Sequence, residues 1–529
     1  MSAGGDLLVF LPLSFFVSGL ETVSRIELKN ISKSFGKVRA NNGVNLSIYP
    51  GEILALLGEN GSGKTTLMNM LSGIYYPDDG QIYIRGEEVK ITSPGVASFH
   101  GIGMIHQHFK LIDVFTAAEN IILGHKESFI LNRDEIRQNV KKLSAQYGFE
   151  LDPDKKIYDM SVSEKQTVEI MKLLYNGAEI LILDEPTAVL TPQETEKLFS
   201  VLRKMKESGQ SIVIITHKLQ EVLDLSDRVA VLRKGEIVRV LNTNEANEET
   251  LTDLMVGEHI HLEIERTEPQ NPEVRLEVEH LSCLNSYGLK ALDDVSFLVR
   301  SGEILGIAGV AGSGQKELLE AIAGLQKCES GSRILYHNPS GISEDILGKN
   351  PKQIKEIGIS LAFVPEDRLG MGLIGNMGMA DNMLLRSYEK GKSPFVSYRE
   401  PTALAQSIKE KLEVSAPSIK TPVRKLSGGN VQKVLIGREI ASSPKILMTA
   451  YAVRGLDINT SYTIYNILNE EKKMGTAILY VGEDLDVLLS LCDRILVLCG
   501  GRVSGIVEAR KATKKEIGAM MSERKGDKR

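Results

Sequence analysis

Gly58-Glu59-Asn60-Gly61-Ser62-Gly63-Lys64-Thr65 fits the pattern GxxxxGK(S/T) without a mismatch, follows the apolar run Ile53–Leu57 and opens the helix-compatible run Thr66–Leu71. That is the strand, loop and helix context the pattern requires. Glycines let successive backbone N–H groups curl around phosphates, and the helix start adds partial positive charge. Lys64 is then expected to reach the β and γ phosphates, and the Thr65 hydroxyl to hold Mg2+. Alone, such a loop is also an ordinary strand-to-helix turn; the flanking runs favour the phosphate reading.

Working outward, Ile180-Leu181-Ile182-Leu183-Asp184-Glu185-Pro186 reads as a buried strand ending in adjacent carboxylates. Beside a phosphate loop, Asp184 is expected to hold the Mg2+ shell and Glu185 to orient or deprotonate the attacking water. His217, closing the run Ile212–Thr216, is a candidate γ-phosphate contact, and Gln107, after Ile105-His106, offers a neutral oxygen to Mg2+ or water. Without the loop, each would read as a strand-end polar group.

At 529 residues the chain is too long for one hydrophobic core. With 42% hydrophobic and 25% charged residues it is globular, which excludes disordered, collagen-like and disulfide-built classes. Lys and Arg number 63 against 69 Asp and Glu, so no global basic field recommends nucleic acid. Cys283, Cys328, Cys492 and Cys499 form no CxxC pair and read as buried thiols in a reducing cytoplasm. Leu7–Leu20 is apolar but interrupted by Pro12 and too short to span a bilayer. It reads as a strand or packing extension, or as sequence upstream of the true start.

The chain is a tandem duplication. Gly51-Glu-Ile-Leu-Ala-Leu-Leu-Gly58 recurs as Gly302-Glu-Ile-Leu-Gly-Ile-Ala-Gly309 at an offset of 251, and Leu225–Val229 recurs as Leu491–Ile495 at 266. The second copy therefore carries 15 extra residues, expected in surface loops. The polar stretch Gly257–Glu273, ending in Pro269-Gln-Asn-Pro272, marks a linker. The expected units are an apolar extension 1–23, a first domain 24–256, the linker 257–273, a second domain 274–523 and a basic tail 524–529. Each copy opens with an alternating strand pair (Arg25–Ile31 and Val44–Ile48 in the first). Continuous β-branched runs such as Ile212–Ile215 suit a parallel sheet covered on both faces. The class is α/β.

The phosphate loop, Asp184-Glu185, Gln107, His217 and Leu426-Ser427-Gly428-Gly429-Asn430-Val-Gln432 together resemble the ATP-binding cassette family, whose signature is LSGGQ. The likeness covers nearly the whole chain from about residue 24. It implies two P-loop NTPase cassettes in tandem, each a mixed, mainly parallel sheet with an antiparallel β subdomain and a helical subdomain. It further implies that the cassettes pair head to tail within the chain. ATP would sit between the loop of one (Gly58–Thr66) and the signature of the other (Ser427, Gly428, Gly429), with Mg2+ held by Thr65, Gln107 and Asp184. Phe35 occupies the place of the adenine-stacking aromatic, against the alternative of core packing.

The two composite sites are unequal. In the second copy Gln315 and Lys316 replace Lys64 and Thr65, Ala450 and Tyr451 replace Asp184 and Glu185, and Glu483 replaces His217. The first copy's signature reads Met160-Ser161-Val162-Ser163-Glu164, without its glycines. Head-to-tail pairing sets intact loop against intact signature and eroded against eroded, so one hydrolytic site per chain is expected. Thr191 stands where the family usually has an aspartate, which the second copy retains as Asp457.

Unequal fused cassettes resemble the ATPases of bacterial importers for monosaccharides and nucleosides. Gly101–Leu111, Val364-Pro-Glu-Asp-Arg368 and the lost carboxylate pair resemble the nucleoside branch. The resemblance implies a peripheral protein at the cytoplasmic face of the cell membrane, working with integral permease subunits and indirectly with an extracytoplasmic solute-binding protein. His108–Leu123 is expected to grip the permease, and Glu366 holds the comparable place in the second copy. A soluble ribosome-acting tandem ATPase is the alternative from another class; the short linker and dismantled second site argue against it. The basic stretch from Lys511 to Arg529 reads as a solvated, frayed terminus.

Overall fold

The computed structural model describes residues 24–36, 38–106, 109–124, 133–188, 190–257, 264, 266–269, 271–285, 288–357, 359–388 and 396–522. The extension 1–23, Gln107, His108 and the tail 523–529 lie outside the described residues.

Both halves repeat one architecture. In the first, a six-stranded sheet runs Glu236–Asn242, Arg228–Arg233, Ile53–Leu57, Ser211–Thr216, Ile180–Asp184, Ile102–Ile105, parallel except at its first pair. Every residue of Ile53–Leu57 is buried. Leu54 and Leu56 pack toward the β subdomain, whereas Ile53, Ala55 and Leu57 pack toward helices on the other face. A strand covered on both faces needs an unbroken apolar run, and each fully buried leucine is worth roughly 1.5–3 kcal/mol.

A four-stranded antiparallel sheet (Val38–Ile48, Ile26–Phe35, Asp79–Ile84, Glu87–Glu88) covers one side. The opening strands are longer than their alternation suggests, because irregular register shifts after Leu28 and Ile31 carry the pairing on to Phe35. The helices Ala117–Ile121, Arg133–Tyr147 and Val162–Tyr175 share a separate apolar cluster. The second half repeats the large sheet as Leu361–Val364, Ile446–Ala450, Ala477–Val481, Ile304–Ala308, Arg494–Cys499, Arg502–Glu508.

The 15 extra residues are not one loop. Matching elements are offset by 259 at Ile102–Ile105 against Leu361–Val364, by 262 at Ala117–Ile121 against Met379–Leu384, and by 266 at Val162–Tyr175 against Gly428–Ile440.

One expectation needs correction. The stretch from Lys511 is not a frayed terminus as far as Ser522: Lys514–Ser522 is a helix with Ile517 fully buried and Met520 and Met521 on the same core. Its i, i+3, i+4 apolar spacing outweighs its charge. The helix also meets the first half, where Gln193 Nε2 donates to the Lys515 carbonyl at 3.2 Å. The described residues 264 and 266–267 of the linker are held to the second half. Arg266 donates to the carbonyls of Leu489 (3.2 Å) and Cys492, Lys472 Nζ donates to the Thr267 carbonyl, and Ile264 packs on the second core. Of the cysteines, Cys283 and Cys492 are buried and Cys328 and Cys499 half-buried, all four as free thiols.

Candidate nucleotide site and its eroded twin

The loop is shaped by close approach. A Cβ on Gly58 would lie 2.2 Å from the Leu232 carbonyl oxygen, and one on Gly63 2.3 Å from that of Ala40. Gly63 has a φ of 105° and Gly61 of 82°, both left-handed, which glycine adopts without steric cost. Lys64 is buried, with Nζ donating to the carbonyls of Gly58 (2.7 Å) and Glu59 (2.9 Å). Burial pushes its ammonium down from the ordinary lysine value, against the pull of the Glu185, Asp184 and Glu59 carboxylates. Among the described residues Ser62 Oγ is buried without a hydrogen-bond partner. Thr65 is exposed and Thr66 half-buried at the opening of the helix Lys64–Leu71.

Thr65 Oγ1 donates to Asp184 Oδ2 at 3.2 Å, across 119 residues. Burial first, and then the neighbouring Glu185 charge, raises the Asp184 carboxyl above its ordinary value. Glu185 goes the other way: His217 Nδ1, 2.9 Å from Glu185 Oε1, holds that carboxyl below the usual range despite burial. Glu185 sits at φ 48° and Tyr451, its counterpart, at 51°. Left-handed backbone at a non-glycine residue costs about 1–3 kcal/mol and marks a position the surroundings enforce.

The donor set fits its expected occupants. A glycine cradle, an unpartnered serine hydroxyl and a buried lysine suit phosphates, and a hydroxyl beside a carboxylate supplies hard oxygens for Mg2+. Phe35 is 44% exposed, which removes the core-packing alternative; its ring meets Tyr75 edge-on at 5.2 Å.

Leu456 and Ile458 of the second half touch this loop. Asn60 Nδ2 donates to the Leu456 carbonyl at 3.3 Å, and the Ile458 N–H donates to Glu59 Oε1 at 3.2 Å. Burial raises the Glu59 carboxyl, and Asp457 repels it from across the contact. Leu456 reaches back to the signature: a Cβ on Gly428 would lie 3.9 Å from its Cδ2. Ser427 caps the helix Gly428–Ile440, accepting from the Asn430 N–H at 3.4 Å and its Nδ2 at 2.7 Å. The glycines at 428 and 429 leave that helix start bare; a Cβ would lie 3.2 Å from Arg368 Nη1 at one and from Thr460 at the other.

In the second half, Gln315 Nε2 donates to its own loop's Val310 carbonyl at 3.1 Å, and Lys316 points outward to within 3.8 Å of Glu320. Gly312 and Gly314 keep positive φ, so the loop shape survives. The first half's counterpart of the signature closes on itself: Ser161 and Glu164 form a capping box, and Glu164 pairs with Lys155 at 2.6 Å. Thr191 and Asp457 are locally equivalent, since each caps the helix that follows through its side-chain oxygen.

Sequence reasoning gave Arg454 no role and read Arg368 only as part of a branch motif. Arg454 lies 2.5 Å from Glu366 and 3.2 Å from Glu483, with its guanidinium over the Tyr451 ring at 5.8 Å; Arg368 donates to the Arg454 carbonyl. The repeat offset alone would have exposed the contrast, because it aligns Arg454 with Ala188.

The ABC transporter family profile matches residues 41–188 and 292–449. The chain is 41% identical to the nucleoside import ATP-binding protein NupA of Lactococcus lactis subsp. cremoris, over 95% of this chain and 98% of that one. It is also 41% identical to the guanosine import ATP-binding protein NupO of Bacillus subtilis, over 94% and 97%. To the ribose import ATP-binding protein RbsA of Corynebacterium glutamicum it is 35% identical, over 94% and 92%. The chain belongs to the ABC transporter family, and within it to the ATP-binding, ATP-hydrolysing components.

Proposed function

We propose that this chain drives nucleoside uptake through a membrane permease by hydrolysing ATP at one composite site, formed by the loop of the first cassette and the signature of the second. The observation that carries the reading is the pair of contacts Asn60–Leu456 and Ile458–Glu59, which set the intact loop against the half bearing the intact signature. The cargo reading is supported by the 41% identity to NupA and NupO. A monosaccharide importer is the second reading, favoured by the ribose relative, which aligns over 94% of the chain.

In this scheme Phe35 stacks on adenine and the N–H groups of Glu59 to Thr66 receive the phosphates. Lys64 exchanges its two loop carbonyls for phosphate oxygens, whose negative charge offsets the burial that lowers its pKa. Thr65, Asp184 and Gln107 hold Mg2+, which when bound neutralises charge developing on the phosphates. Glu185, kept ionised by His217, accepts the proton of the attacking water. Ser427, Gly428 and Gly429 close the site from the second cassette, and closure is transmitted to the permease.

Among the described residues no helix is long and apolar enough to cross a membrane, consistent with peripheral attachment at the cytoplasmic face. A solute-binding protein would hand cargo to the permease on the far side. The test is uptake by proteoliposomes containing the permease, its binding protein and this chain. ATP-dependent guanosine uptake is expected, lowered about 100- to 10,000-fold by Glu185→Gln. Ribose uptake in its place would move the reading to sugars, and uptake without ATP would end it.

A further inference from the structure

The second cassette's eroded positions are not simply vacated. The repeat offsets put Glu366 at the place of Gln107, Tyr451 at that of Glu185 and Glu483 at that of His217. In the first cassette the matching turn, closed by the Ala188 N–H donating to the Glu185 carbonyl at 3.2 Å, carries at Ala188 a side chain with no charge. In the second, Arg454 fills that place and its guanidinium binds Glu366 and Glu483 while lying over Tyr451.

We infer that Arg454 is a positioning residue for hydrolysis in the other cassette: anchored by Glu366 and Glu483, it holds the loop Arg454–Ile458 against the phosphate loop at Glu59 and Asn60. This rests on the composite site proposed above.

Four observations support it. The backbone N–H of Arg454 donates to the Tyr451 carbonyl at 3.1 Å, and that of Leu456 to Val453 at 3.1 Å, so the anchored residue and the cross-cassette contact share one tight turn. Tyr451 keeps the left-handed backbone of Glu185 although no carboxylate remains to be aimed. The turn is therefore retained for the loop that follows it. From the other side, Arg368 donates to the Arg454 carbonyl and lies against Gly428, which ties the same turn to the signature helix. Among the described residues no carboxylate pairs with Arg368, and its burial lowers its pKa, so its contact is with backbone rather than charge. Finally, the loop's far end, Leu456 and Ile458, touches side chains of Glu59 and Asn60 and leaves the loop's backbone N–H groups to the phosphates.

Because the cross-half contact uses the Glu59 and Asn60 side chains and none of the phosphate loop's N–H groups, loss of the anchor should slow turnover and spare nucleotide binding. For the purified full-length chain, Arg454→Ala is expected to lower kcat about tenfold, with KM for ATP moving less than about twofold. Arg454→Lys, which keeps the charge without the fork, is expected to recover part of the loss. The double change Glu366→Gln with Glu483→Gln should reproduce the Ala phenotype, and adding Arg454→Ala to it should lower kcat no further, because the three groups act as one unit. A titration with fluorescent ATP counts the folded, binding-competent chains in each preparation. If Arg454→Ala does not fold, the carboxamide pair carries the test. Wild-type kcat in these variants, or losses that multiply, would overturn the inference. Lys64→Ala tests the underlying reading separately: if it retains turnover, the composite site itself is wrong.

Discussion

Asp184 and Glu185 are neighbours in one strand end, yet their surroundings push them in opposite directions. Burial and the Glu185 charge raise the Asp184 carboxyl above its ordinary 3.8, and the His217 hydrogen bond lowers that of Glu185. For a raised carboxyl, the stabilising contribution is full below the ordinary value and is lost as pH rises through the raised one. Asparagine does not titrate. Asp184→Asn is therefore expected to gain thermal stability relative to wild type as pH rises above the ordinary carboxyl value of 3.8, measured without nucleotide. A difference that does not change with pH would contradict the assignment. Stability is thus given up where Mg2+ is expected to bind, a trade common at functional sites.

Among the elements, the helix Lys514–Ser522 has the most to say about how the halves meet. A Cβ on Gly518 would lie 2.9 Å from Pro192 Cδ and 2.8 Å from Gln193 Oε1, at the start of the helix that Thr191 caps. Proline cannot yield, so Gly518→Val is expected to cost about 1–3 kcal/mol and to lower the thermal midpoint. An unchanged midpoint would show that the helix is not seated there. This contact also marks the limit of what the chain's text reveals. Ile53–Leu57 and Ile180–Asp184 were legible because a strand buried on both faces has a local signature, an unbroken apolar run. The phosphate loop was legible because its glycines answer to backbone demands within eight residues. The helix was misread because its charge masked three apolar side chains, and its partner lies over 300 residues away. Arg454 was missed for a similar reason: one arginine in a loop carries no periodicity, and its partners lie 88 and 29 residues distant.

For the whole molecule, the asymmetry predicts behaviour unlike that of twin-site cassette pairs. Trapping with vanadate is expected to hold one nucleotide per chain, and ATP turnover should follow a simple hyperbola. Gln315→Lys restores a lysine to the second loop, but Ala450 and Tyr451 still offer no carboxylate at the end of that strand. Turnover in this variant should stay within about twofold of wild type, because groups that act together do not contribute separately. A second trapped nucleotide, or a marked rise in turnover, would place chemistry in the second half.

Arg266, Thr267 and Ile264 tack part of the connecting segment to the C-terminal half. Covalent joining on a short tether corresponds to an effective concentration in the millimolar range. An unlike pair made from separate polypeptides would have to find each other in the cell and would compete with like pairs, two of one kind lacking the signature glycines and two of the other lacking the strand-end carboxylates. On a single ribosome's product that sorting problem never arises: each round of translation delivers one of each, already matched.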